Sequence, residues 1–131
     1  MSSDNQLGKK RILVVDDEQE VRDLITDILS DKYVVLAAST GQYALHILEK
    51  EKVDLVLLDI ALKDELDGLK VLRYLRNKPE TRIVPVCMLT CITSRSVQQD
   101  ARRLGANEYI EKPFKIEYLI SKVNELLIES A

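Results

Sequence analysis

Short, almost wholly apolar runs alternate with segments of helical period along nearly the whole chain, and this alternation constrains the fold more than any other feature. Ile12-Leu13-Val14-Val15 has strand length and is closed by two aspartates, the pattern of a strand buried on both faces. From Glu18 onward, Val21, Leu24, Ile25, Ile28 and Leu29 fall at i, i+3, i+4, i+7 and i+8, lining one face of a helix until Ser30-Asp31. Tyr33 to Ala38 predicts a second strand, and Ser39-Thr40 supplies an N-cap for a helix carrying Ala44, Leu45 and Leu48. Val53 to Leu58 predicts a third strand ending at Asp59, followed by a helix capped by Asp67 and carrying Leu69, Leu72 and Leu75. The fourth unit is a strand from Ile83 to Leu89, with Pro85 tolerable only near its start, and a helix marked by Val97, Ala101 and Leu104 that Gly105 ends. The fifth is a short strand from Asn107 to Ile110 and the helical stripe Ile116, Leu119, Ile120, Val123, Leu126 and Leu127.

Five such units with short loops imply right-handed crossovers and a parallel sheet with helices on both faces. At 131 residues, 46% hydrophobic and 31% charged, the chain has the apolar surface for one domain and is not a disordered tail. A net charge of -3 provides no overall basic field, so direct nucleic-acid binding is not expected. Residues 1–10 read as a polar N-terminal extension without the apolar core of a signal peptide, and no apolar run approaches membrane-spanning length. Cys87 and Cys91 lie on one run of extended chain about 13 Å apart, beyond the roughly 7 Å a bridge allows. A reduced, cytoplasmic protein without membrane insertion is the expectation.

In a sheet of this kind the ligand site lies outside the carboxyl ends of the strands. Asp16 and Asp17 follow the first strand, Asp59 the third, Thr90 the fourth, and Lys112 stands two residues beyond the fifth. Three carboxylates against one ammonium leave a charge of about -2 in a small cleft, and like charges held close raise one another's proton affinity unless a cation intervenes. Mg²⁺ suits the set, because it takes one or two carboxylates and keeps positions for water and phosphate oxygens. Gly8, Gly41, Gly68 and Gly105 are too scattered for a dinucleotide fingerprint or a P-loop.

Ile12-Leu13-Val14-Val15-Asp16-Asp17-Glu18, Val56-Leu57-Leu58-Asp59, Met88-Leu89-Thr90 and Glu111-Lys112-Pro113-Phe114 together resemble, in order and spacing, the response-regulator receiver domain of two-component signalling. The resemblance implies a flavodoxin-like, doubly wound α/β fold, with a five-stranded parallel sheet of order 2-1-3-4-5 flanked by five helices over residues 11–129. The chain ends just after the fifth helix, so no output domain is expected within it. Asp59 is implied as the phosphoacceptor, with a histidine kinase or histidine phosphotransfer protein as donor. Asp16, Asp17, Asp59 and the backbone carbonyl of Ala61 are implied as the Mg²⁺ shell. Thr90 would hydrogen-bond a phosphoryl oxygen, Lys112 would pair with another, and a cis Lys112–Pro113 peptide would aim the lysine. Tyr109 matches the switch aromatic that turns inward as Thr90 moves, which alters a partner contact through the fourth helix, fifth strand and fifth helix. By this reading the domain catalyses only its own phosphorylation and dephosphorylation.

The sequence departs from the common receiver pattern in three places. The segment between Asp59 and Gly68 is one residue longer and lacks the customary proline; Cys91 replaces an alanine after Thr90; and Ile92 follows it. Cys91 is expected to pack rather than to act in redox chemistry. Ala61 and Ile92 stand at the two positions that tune dephosphorylation in the family, and neither side chain can orient a water. His46 reads as a surface or boundary residue, and Arg102-Arg103 and Asp64-Glu65 as solvated faces. A Mg²⁺-dependent phosphohydrolase with an aspartyl-phosphate intermediate would carry Asp-x-Asp after the first strand, whereas here the pair is adjacent. A pseudo-receiver used only for docking would lack one of the five residues, and all are present.

Overall fold

The computed structural model describes residues 8–130, so most of the N-terminal extension lies outside the described residues. The elements are β1 (Arg11–Val15), α1 (Gln19–Leu29), β2 (Val34–Ala38), α2 (Gly41–Lys50), β3 (Leu55–Leu58), α3 (Gly68–Asn77), β4 (Val86–Thr90), α4 (Arg95–Arg103), β5 (Glu108–Glu111) and α5 (Ile116–Ser130). All strand pairs are parallel and the order is β2-β1-β3-β4-β5. No helix among the described residues is long and apolar enough to cross a membrane.

Two apolar layers follow from the two-residue period of the strands. Leu13, Val15, Val56, Leu58, Val86 and Met88 point to one face, where Ala44, Leu48, Val71, Leu72, Leu75 and Ala101 of α2, α3 and α4 cover them. Ile12, Val14, Leu55, Leu57, Cys87 and Leu89 point to the other, against Ile25, Leu29, Leu119, Val123 and Leu126 of α1 and α5. Central strands buried on both faces explain why every residue of β3 and β4 is buried.

The capping residues act as the sequence suggests. Thr40 accepts from the Tyr43 amide and Asp67 from the Lys70 amide, satisfying first-turn donors of α2 and α3. Gly105 has φ +105°, a conformation suited to glycine in the turn that ends α4.

Four expected strands begin too early, the fifth by one residue, since β5 starts at Glu108 and not at Asn107. The Tyr33 amide is bonded to the Leu29 carbonyl at the end of α1, so Tyr33 closes the helix and β2 starts at Val34. Asp54 spends its carboxylate on the Arg11 amide (2.8 Å) ahead of β3. Ile83 is 82% exposed within a turned segment, and β4 starts only after Pro85, which has no amide to give the ladder. At the other end of β4, Thr90 is the strand's last residue rather than the first beyond it. β5 likewise runs one residue further than expected, to Glu111.

Arg76 ties the edge of the molecule opposite the strand carboxyl ends. Its guanidinium donates to the carbonyls of Gly105 (2.8 Å from Nη2) and Val84 (2.8 Å) and to Asn107 Oδ1 (3.1 Å). The Asn107 oxygen also accepts from the Val86 amide (2.8 Å), so one cation joins α3, the start of β4 and the turn into β5.

Candidate functional site

The parallel strands bring their polar end residues together at one edge. Asp16 follows β1, and its amide extends the ladder to the Ala38 carbonyl (3.1 Å). Asp59 follows β3 in the same way, its amide bonded to the Val15 carbonyl (2.9 Å). One carboxylate oxygen from each of Asp16, Asp17 and Asp59 lies within 4.8 Å of the others. Lys112 reaches this group from beyond β5, its amide held by the Thr90 carbonyl (2.9 Å) and its peptide bond to Pro113 in the cis form.

The lysine ammonium lies 2.6 Å from Asp16 Oδ2, 3.0 Å from Asp59 Oδ2 and 3.3 Å from Glu18 Oε1. Asp16 is 1% and Asp59 4% exposed, while the Lys112 side chain is 8% exposed, so these charges meet with little water between them. Burial pushes the Asp16 carboxyl above its usual range; the hydrogen bonds from Lys112 and the Glu18 amide oppose this, and Asp59 adds to it. Burial alone would lower the Lys112 ammonium, but the hydrogen bonds and charges of Asp16 and Asp59 outweigh it and raise the group, so it stays protonated at neutral pH.

The remaining carboxylate oxygens are also ordered. Asp16 Oδ1 accepts from the Glu18 amide (2.9 Å) and Asp59 Oδ1 from the Ala61 amide (3.0 Å). Asp17, half-buried, differs: among the described residues no donor reaches its carboxylate. Three hard oxygen donors, one of them uncommitted, with no sulfur or imidazole nearby, are the donor chemistry that Mg²⁺ prefers.

Thr90 is wholly buried, and its hydroxyl accepts from the Ile92 amide (3.3 Å). Tyr109, half-buried on β5, donates its hydroxyl to the Ile92 carbonyl (2.7 Å). The β4–α4 loop is thus held at one residue from both sides, by Thr90 at the end of β4 and by the aromatic on β5. Burial raises the Tyr109 phenol, with Glu111 and Asp59 adding to the effect. Tyr109 also lines a surface depression with Gln98, Glu111, Pro113, Phe114 and Tyr118, where Gln98 donates to Glu111 (3.2 Å) across α4 and β5.

Several sequence expectations need correction. Cys91 is exposed and does not pack, because the chain turns outward once β4 ends. Asp64 is no solvated residue: its carboxylate accepts from the Gln42 amide (3.2 Å) and the Gly41 amide (3.4 Å) at the start of α2. The longer β3–α3 loop is therefore anchored, with Ile60 and Leu62 buried beneath it. His46 is exposed, as expected, and stacks on Tyr43. Ala61 is exposed beside Asp59, and Ile92 is half-buried.

Two close contacts at the site escaped the sequence reading. A Cβ on Gly68 would lie 2.2 Å from the Asp59 carbonyl oxygen, so α3 approaches the end of β3 only because this residue has no side chain. Its place at the first position of a capped helix was the available signal. Arg22, on α1, donates to the Asp16 carbonyl (2.7 Å), and nothing in its spacing announces a backbone partner.

The model of the response regulator receiver domain matches residues 12–124. A probable transcriptional regulator of Porphyridium aerugineum, ycf27, is 37% identical over 122 residues, 92% of this chain and 49% of that protein. A probable cyclic di-GMP phosphodiesterase of Vibrio cholerae is 36% identical over 118 residues, 90% of this chain and 26% of that protein. The chain spans about half the length of most curated relatives it matches. Among solved structures, a CheY-like response regulator receiver domain protein of Methanospirillum hungatei superposes with a TM-score of 0.88 at 31% identity, over 94% of this chain and 97% of that one.

Proposed function

Because the chain belongs to the response regulator receiver domain family, we propose that Asp59 is its phosphoacceptor, loaded from the phosphohistidine of a kinase or phosphotransfer protein. Receiver domains are signalling modules, and the reaction assigned to this one is its own phosphorylation. The observation that carries the reading is the placement of the Lys112 ammonium between Asp16 and Asp59 beside the open carboxylate of Asp17.

An Asp59 carboxylate oxygen attacks phosphorus, the bond from phosphorus to the donor imidazole nitrogen breaks, and that nitrogen leaves with the electron pair and is protonated. Such a transfer needs positioning and charge neutralisation more than proton abstraction. The Ala61 amide and the Lys112 ammonium fix the plane of the Asp59 carboxylate before a donor arrives. Lys112 then balances charge on the acyl phosphate, and the Thr90 hydroxyl is the nearby side-chain donor for a phosphoryl oxygen. Asp16, Asp17, Asp59 and the Ala61 carbonyl are the groups that would hold Mg²⁺, which when bound supplies positive charge to the phosphoryl oxygens. As Thr90 turns to the phosphoryl group it releases the Ile92 amide, and Tyr109, bonded to the same residue, carries the change to α4, β5 and α5, the surface assigned to a downstream protein.

Incubation with a small phosphodonor tests this reading. Labelling of the unaltered protein is expected to require Mg²⁺ and to be abolished, together with Mg²⁺ binding, in Asp17→Ala. Undiminished labelling of that variant would remove Asp17 from the metal shell.

A further inference from the structure

The two aspartates of the β1–α1 turn are held unequally. Asp16 has every hydrogen-bonding group engaged: its amide with the Ala38 carbonyl, Oδ1 with the Glu18 amide, and Oδ2 with Lys112. Asp17 has an uncommitted carboxylate, so its direction is set by the backbone on either side. On the C-terminal side Asp16 Oδ1 holds the Glu18 amide at 2.9 Å. On the N-terminal side Arg22 Nη1 donates to the Asp16 carbonyl oxygen at 2.7 Å. That oxygen belongs to the planar peptide joining the two aspartates, and fixing it fixes the plane from which Asp17 departs. Arg22 is itself tied to the turn, its amide bonded to the Glu18 carbonyl (3.2 Å), and the Thr26 hydroxyl donates to its carbonyl (2.8 Å).

We propose that Arg22 is a positioning residue of the acidic turn, holding the Asp16–Asp17 peptide so that the Asp17 carboxylate faces the cation; this rests on the metal reading above. The contact is the kind of outer hydrogen bond that orients a ligand group in metal sites. Charge alone would act in the opposite sense. The guanidinium is a fixed positive charge beside a cation site, and removing it without disturbing geometry tightens cation binding. The sign of the change in affinity therefore separates positioning from electrostatics.

The test is calorimetric titration of MgCl₂ into the unaltered chain, Asp17→Ala, Arg22→Met and Arg22→Lys, with thermal unfolding of each metal-free protein alongside. Arg22→Met is expected to bind Mg²⁺ about tenfold more weakly while remaining folded. Arg22→Lys keeps the charge but has a shorter reach and no fork, and is expected to be about threefold weaker. Affinity in Arg22→Met equal to or tighter than in the unaltered chain would overturn the proposal. If Arg22→Met does not fold, Arg22→Lys decides: weaker binding sustains the role and unchanged binding overturns it. Absence of Mg²⁺ binding by the unaltered chain would overturn the metal reading and this role with it. Binding that is lost in Asp17→Ala but undiminished in Arg22→Met would overturn this role alone.

Discussion

Asp16 carries an electrostatic cost that Lys112 only partly offsets, because its carboxylate is buried and shares that one ammonium with Asp59 and Glu18. Burial first, and Asp59 after it, raise the proton affinity of Asp16 on folding. The native chain therefore binds more protons than the unfolded chain between the ordinary value of 3.8 and the raised one. Stability from this group is fully present below 3.8 and is lost as pH rises through the folded value. Asp16→Asn keeps an oxygen for the Glu18 amide, removes one negative charge and leaves Asp59 to pair with Lys112. The variant is expected to be more stable than the unaltered protein at pH 7, with the gap narrowing on acidification; urea midpoints across that range measure it. A variant less stable at neutral pH would show that the pair with Lys112 outweighs the crowding. All three aspartates and the lysine were legible because each follows an apolar run closely, but which aspartate is saturated and which is open was not. That depends on Arg22 and on backbone amides, which leave no mark in composition.

At the scale of elements, sequence and structure agree where an apolar run is also a run of ladder hydrogen bonds, as in β1. They part where apolar residues continue past the ladder. Tyr33 is buried yet belongs to the close of α1, and Ile83 lies in an exposed turn ahead of Pro85. Hydrophobic pattern reports burial at Tyr33 but not at Ile83, and strand pairing is a separate matter decided by backbone partners. Arg76 illustrates the part that no local pattern reveals, since its acceptors lie 5 to 31 residues away. It is half-buried, and burial lowers its guanidinium from the usual value without removing its charge. Arg76→Ala leaves the Gly105 and Val84 carbonyls without their donor and is expected to cost roughly 2–3 kcal/mol. Denaturant titration would show it, and a loss below about 0.5 kcal/mol would mean water replaces the guanidinium. Asp64 works similarly for the β3–α3 loop, which is why a charged pair that reads as solvated surface proves to be an anchor.

For the whole molecule, the phosphorylated state has a lifetime set by how water reaches phosphorus. On the proposed reading the two positions that tune this approach are Ala61 on the β3–α3 loop and Ile92 on the β4–α4 loop, and neither side chain offers a group to orient a water. Positioning is most of what phosphoryl hydrolysis requires, so the acyl phosphate is expected to persist for many minutes or longer without a phosphatase. Ile92→Glu should shorten it; loss of phosphate within seconds from the unaltered protein in Mg²⁺, or no change in the variant, would contradict this. The sheet order was legible only through resemblance, because alternation fixes parallel pairing without fixing which strands are neighbours. The central claim is that the sheet delivers one carboxylate, Asp59, as the nucleophile. Its most direct test is to phosphorylate the protein with a small donor in Mg²⁺, trap the acyl phosphate with borohydride and map the modified peptide by mass. The account predicts modification at Asp59 alone; a modified Asp54 or Asp64, or labelling undiminished in Asp59→Asn, would contradict it.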